Sequence, residues 1–137
     1  MRTLTAVAQP ASADLHRDQR TSPIIASAIE VHRYLGPGLL ESAYEECLRH
    51  EMHLRGLAFQ RQVALPVIYK GLPLDCGYHM DLLVRGEVVV ELKAVERILA
   101  IHQAQLLTYL RLAERQVGLL INFNVPILAH GITRRVL

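Results

Sequence analysis

The sequence predicts an α/β fold, a central mixed sheet flanked by helices, and two observations carry that prediction. Apolar residues recur at helical spacing from about 22 to 55, alternate from Phe59 to 93, and return to helical spacing from about 96 to 114. Two further strand-like runs follow. The order helix, three strands, helix, strand, strand suits helices layered on a sheet. The second observation is size: 137 residues, 51% hydrophobic and 20% charged, suit one domain and not two. A chain of this length buries about two thirds of its unfolded surface, enough for a core without staples.

Residues 1–21 mix small, polar and charged side chains without a period and read as a flexible tail, leaving 22–137 as the domain. Leu4 to Ala8 imitates the apolar part of a secretory signal, but falls short of the roughly seven residues such a signal needs. The first helix starts at Ser22-Pro23, with serine as N-cap and proline at the first helical position. Ile24, Ala28, Val31 and Leu35 make its apolar stripe, and Gly36-Pro37-Gly38 ends or kinks it. A second helix, about 39 to 55, points Leu40, Tyr44, Cys47, Leu48 and Leu54 inward, and Gly56 is placed for its C-terminal cap.

Val63, Leu65, Val67 and Tyr69 then alternate with their neighbours. Lys70-Gly71 turns the chain into 72–84, and Arg85-Gly86 turns it into 87–93, which predicts a three-stranded antiparallel meander. The helix at 96–114 leads to strands at 117–123, entered through Gly118, and at about 128–136.

Several function classes drop out. No apolar run approaches the roughly 18 residues that cross a bilayer, so no membrane association is expected. A net charge of +2 permits a phosphate-bearing partner without requiring one. Cys47 and Cys76 lack any metal-site spacing and read as reduced, partly buried thiols of a cytoplasmic protein. His50-Glu51 with His53 misses the zinc-protease pattern, because Leu54 stands where the second histidine is needed. His16, His32, His79 and His130 show no ligand spacing, although His79 shares a strand face with Asp81. There is no phosphate-cradling glycine loop and no nucleophile elbow.

One constellation carries chemistry. In strand 87–93 alternation puts Val89, Glu91 and Lys93 on one face and Val88, Val90 and Leu92 on the other. Across the Arg85-Gly86 hairpin, Asp81 becomes a neighbour of Glu91. The acids share a face only if the loop holds an odd number of residues or a bulge; a two-residue turn would set Asp81 opposite Val90. Paired carboxylates on rigid strands suit a hard divalent ion, and a lysine beside them can orient an attacking water and neutralise phosphoryl charge. The bland alternative is a cross-strand salt bridge from Lys93 to either acid. Lys70 and Lys93 are the only lysines.

Asp81, nine residues, then Glu91-Leu92-Lys93 at the end of an apolar strand resembles the PD-(D/E)XK nuclease superfamily. Gly38 to Tyr44, GLLESAY, resembles the signature of its GxxExxY protein family, and YHMDLLV, VVELKAV, HQAQLLTYL and GLLINFNV resemble that family's further blocks across about 23–137. The resemblance implies a restriction-endonuclease-like αβββαβ core. It further implies that Asp81, Glu91 and the Leu92 carbonyl bind Mg²⁺ or Mn²⁺, that Lys93 is catalytic, and that Glu41 is another ligand or acts through water. Gln105 and Tyr109 match the QxxxY pattern of the RecB-like branch, which supports the site and DNA; Tyr44 and Gly38 would be supporting residues. The proline that names the superfamily is absent, Met80 standing before Asp81.

The helix spacing agrees in part with that assignment. His102, Gln105 and Tyr109 form one polar stripe toward the sheet, and Glu41 lies at the edge of its helix's buried side, where the helix dipole alone also favours an acid. Gly38 serves backbone geometry and close approach. The resulting expectation is a metal-dependent nuclease acting on nucleic acid, DNA first, with a homodimer compatible. The alternative is a catalytically inactive nucleic-acid- or protein-binding module of the same fold.

Overall fold

The computed structural model describes residues 17–137. The elements are α1 (Ser22–Leu35), α2 (Glu41–Leu54), β1 (Phe59–Ala64), β2 (Val67–Tyr69), β3 (Leu72–Leu74), β4 (His79–Val84), β5 (Val88–Lys93), α3 (Ala100–Ala113), β6 (Val117–Asn122) and β7 (Ile132–Val136). Five strands form one sheet in the order β1-β4-β5-β6-β7. All neighbours are antiparallel except β5 and β6, which run parallel because α3 carries the chain back across the sheet between them. This is the expected α/β layering of helices on a mixed sheet.

Two details of the meander differ from the expectation. The strand after Phe59 ends at Ala64, and the Lys70-Gly71 turn joins β2 and β3 into a separate ribbon outside the main sheet. Both turn residues have positive φ, 46° and 84°, as a two-residue hairpin turn requires, so the local signal was sound and only its place in the sheet was wrong. The meander that reaches the acids is β1–β4–β5.

Part of the segment expected as a tail is described. Its residues 1–16, with His16, lie outside the described residues, but 17–21 form a turn that leads into α1. Asp18 bonds Arg20 at 2.8 Å and Arg134 of β7 at 3.1 Å, and Thr21 is fully buried. Thr21, not Ser22, is the N-cap of α1.

The sheet has two unlike faces. Val88, Val90 and Leu92 of β5 join Leu119 and Ile121 of β6 beneath α1 and α2 in the larger core. Val89 and Leu120 join Leu83, Leu106, Tyr109 and Leu110 in a smaller cluster under α3. A Cβ on Gly118 would come within 2.8 Å of Leu106 and 3.2 Å of Leu110, so this glycine lets α3 sit down on β6. Tyr44, Leu48 and Met52 hold α2 to the larger core. Leu40 and Leu54, expected inward, stand at the two ends of α2 and are 76% and 65% exposed, because the helix spans less than the periodic stretch. Cys47 is half-buried, whereas Cys76 is exposed rather than partly buried; both are free. Among the described residues no helix is long and apolar enough to cross a membrane.

Candidate active site

β5 is buried from Val88 to Leu92 with Lys93 half-buried at its end, and Glu91 and Lys93 share one of its two faces. The hairpin loop from β4 is Arg85-Gly86-Glu87, three residues, with ladder pairs Leu82–Val90, Leu83–Val89 and Val84–Val88. The odd loop sets Asp81 across from Glu91, as required for the acids to share a face. The ladder ends at Leu82–Val90, and beyond it the acid side chains bond the opposite backbone. The Asp81 N–H donates to Glu91 Oε1 at 3.3 Å, and the Leu92 N–H donates to Asp81 Oδ2 at 2.9 Å.

Glu91 is 7% exposed, and no ion pair joins Lys93 to either acid among the described residues. The salt-bridge alternative therefore loses its contact. Burial first, then the negative field of Asp81 and the hydrogen bond between the carboxyls, pushes Glu91 up to about 9, while Lys93 pulls weakly downward. At neutral pH without a cation Glu91 thus holds a proton.

Glu41 is the first residue of α2, and its surroundings follow from the preceding loop. Gly38 has φ +102°, a conformation that L side chains rarely adopt, and a Cβ there would meet nothing within 4 Å. It serves backbone geometry as expected; the close approach expected of it does not occur. The Tyr44 hydroxyl donates to the Gly36 carbonyl at 2.5 Å and accepts the Leu39 N–H at 3.2 Å, while its ring stacks on Phe123 at 4.5 Å. Tyr44 therefore ties the loop that leads into Glu41. The Glu41 carboxyl is raised by burial and then by Asp81, and lowered by Lys93, which puts it within the field of both.

From α3, Gln105 Nε2 donates to the Tyr109 hydroxyl at 3.0 Å. Burial raises the Tyr109 phenol most, the Gln105 bond lowers it, and Glu91, Tyr78 and Asp81 raise it further, so this pair borders the acids. His102 departs from the expected stripe: its Nδ1 accepts the Leu99 N–H at 3.0 Å and caps α3. Leu99 is the N-cap and is 44% exposed. His79 bonds its near neighbour, the Gly77 carbonyl.

Among the described residues no group of three or more His, Cys, Asp or Glu side chains is arranged to hold a metal ion, so Glu41 does not complete a three-acid cage with Asp81 and Glu91. The pair still fits a hard divalent cation. Its donors are all oxygens, its two carboxyls share one strand face with Glu91 buried, and Mg²⁺ in particular uses one or two carboxylates and keeps several waters. Asn122, which sequence spacing did not single out, closes the end of β5: it pairs with Lys93 across the parallel ladder and bonds Val95. Its only sequence signal was a lone amide ending an apolar strand.

A family model of the PD-(D/E)XK nuclease superfamily matches residues 18–136, which include every site residue above. No curated protein and no solved structure matches the chain.

Proposed function

Because this chain belongs to the PD-(D/E)XK nuclease superfamily, we propose that it is a divalent-metal-dependent nuclease that hydrolyses phosphodiester bonds in DNA. The Gly38, Glu41 and Tyr44 geometry supports the narrower GxxExxY grouping. The single observation that carries the reading is the placement of Asp81 and the buried Glu91 opposite each other on one face of the β4–β5 hairpin, each carboxyl bonded to the other strand's backbone.

Asp81, Glu91 and the Leu92 carbonyl would hold Mg²⁺ or Mn²⁺. Bound there, the ion supplies an activated water and shields charge that develops on phosphorus. Glu91 would hold the ion as a carboxylate, and Asp81 keeps its carboxylate aimed by accepting the Leu92 N–H. Lys93, half-buried on the same strand face, carries the ammonium that orients the water and neutralises a phosphoryl oxygen. Glu41 acts through water rather than by direct ligation. The Gln105–Tyr109 pair fixes polar hydrogen-bonding groups at the α3 side of the acids, where a strand of DNA would pass.

The test is incubation of purified protein with single- and double-stranded DNA and RNA in Mg²⁺, Mn²⁺ or EDTA. Cleavage of DNA with either metal, none in EDTA, and a loss of about 10²-fold or more in Lys93→Ala are expected. Unchanged cleavage by Lys93→Ala overturns the mechanism. Binding without cleavage by the wild type, in either metal, selects the inactive binding module instead.

A further inference from the structure

Asn122 is 1% exposed, yet its position in the sheet asks for nothing polar: the preceding β6 residues, Val117 and Leu119 to Ile121, are apolar and buried. A buried carboxamide needs partners for its oxygen and its amide, and Asn122 spends them on the chain that leaves β5. Its Oδ1 accepts the Val95 N–H at 3.1 Å and the Asn124 N–H at 3.2 Å, and its Nδ2 donates to the Val95 carbonyl at 3.0 Å. On the other side of Lys93, the Phe123 N–H donates to the Lys93 carbonyl at 2.9 Å.

Three backbone groups of residues 93–95 are therefore tied to residues 122 and 123. Two of those ties are the Asn122 side chain. Asn122 follows Leu120 by two residues, so it faces α3, the side that also carries Glu91 and Lys93. Lys93 has a long flexible stem and no ion pair among the described residues to hold its tip. The protein controls where its ammonium goes mainly by fixing where the stem begins.

We propose that Asn122 is a positioning residue for Lys93, clamping the exit of β5 so that the lysine enters the acid pair from a fixed direction. Its effect on turnover rests on the nuclease reading, whereas its effect on Lys93 itself does not.

The experiment uses the full chain with Asn122→Ala and Asn122→Ser, and with Ile121→Val as a control that trims the opposite face of β6. Reductive methylation with ¹³C labels the two lysines and the α-amine, and Lys93→Arg identifies the Lys93 signal by NMR. In Asn122→Ala the Lys93 methyl line is expected to sharpen and move toward that of exposed Lys70, with Asn122→Ser between it and the wild type and Ile121→Val unchanged. In cleavage assays Asn122→Ala is expected to lose roughly ten- to hundredfold in kcat with KM nearly constant. A Lys93 line as broad in the Asn122 variants as in the wild type overturns the proposal, whatever the loss of melting temperature. If Asn122→Ala does not fold, Asn122→Ser decides by the same line. Absence of cleavage by the wild type would refute the nuclease reading and leave the spectroscopic comparison decisive for Asn122.

Discussion

The two faces of β5 divide its six residues, three to each, and put them to different uses. Toward α1 and α2, Val88, Val90 and Leu92 enter a continuous apolar core. Toward α3, Val89 is followed by Glu91 and Lys93, with Asn122 and Tyr109 close by. Burial stabilises the first face by roughly 25 cal/mol per Å² of apolar surface, but on the second it works against the charged form of Glu91. The larger core supplies the rigidity that holds a locally unfavourable acid pair in place.

The largest expected effect lies on the apolar face. Leu119→Ala, at a fully buried position, should cost about 2–5 kcal/mol by denaturant titration. Glu91→Gln on the opposite face should cost far less or stabilise the metal-free chain, because it removes a buried acid rather than a packed side chain. Equal losses at the two positions would erase the contrast between the faces.

The next effect is pH dependence. Between the ordinary glutamate range and about 9, the folded chain without metal keeps a proton on Glu91 that the unfolded chain releases. This group therefore makes stability fall as pH rises through that window, and Glu91→Gln should flatten that slope. Metal entry expels the same proton, so Ca²⁺ affinity should rise by up to about tenfold per pH unit below 9. Calorimetry in buffers of different ionisation enthalpy would detect the proton released. A pH-independent affinity between 6 and 8 would contradict the protonated state.

Smaller effects come from the loop that presents Glu41. Tyr44→Phe removes the hydroxyl shared by the Gly36 carbonyl and the Leu39 N–H and should cost about 1–2 kcal/mol. Gly38→Ala, forced to φ +102° with free space around it, should cost about 1 kcal/mol through backbone strain alone. Thermal melts would rank the two. The reverse order would mean that the glycine, not the tyrosine, holds the loop.

Much of this contrast was legible in the sequence because it rests on short-range periodicity. Alternation in 88–93 separated Glu91 and Lys93 from Val90 and Leu92, and loop parity required an odd turn, which the three-residue turn at 85–87 supplies. Long-range pairings were not legible. The turn chemistry of Lys70-Gly71 is the same whether its strands join the main sheet or stand apart as β2 and β3, so the pattern could not place that hairpin. The partner of Asn122 lies 27 residues earlier, and the Tyr44 hydroxyl acts on a loop that helical spacing does not describe. His102 fits a polar stripe by spacing, but the open N–H of the N-cap residue Leu99 claims it.

The most direct measurement is an anomalous difference map from a crystal of the full chain soaked in Mn²⁺. A single strong peak should lie about 2.0–2.3 Å from carboxylate oxygens of both Asp81 and Glu91 and from the Leu92 carbonyl, and Glu91→Gln should remove it. A map with no peak between those residues at millimolar Mn²⁺, or with its peak elsewhere on the chain, would contradict the account.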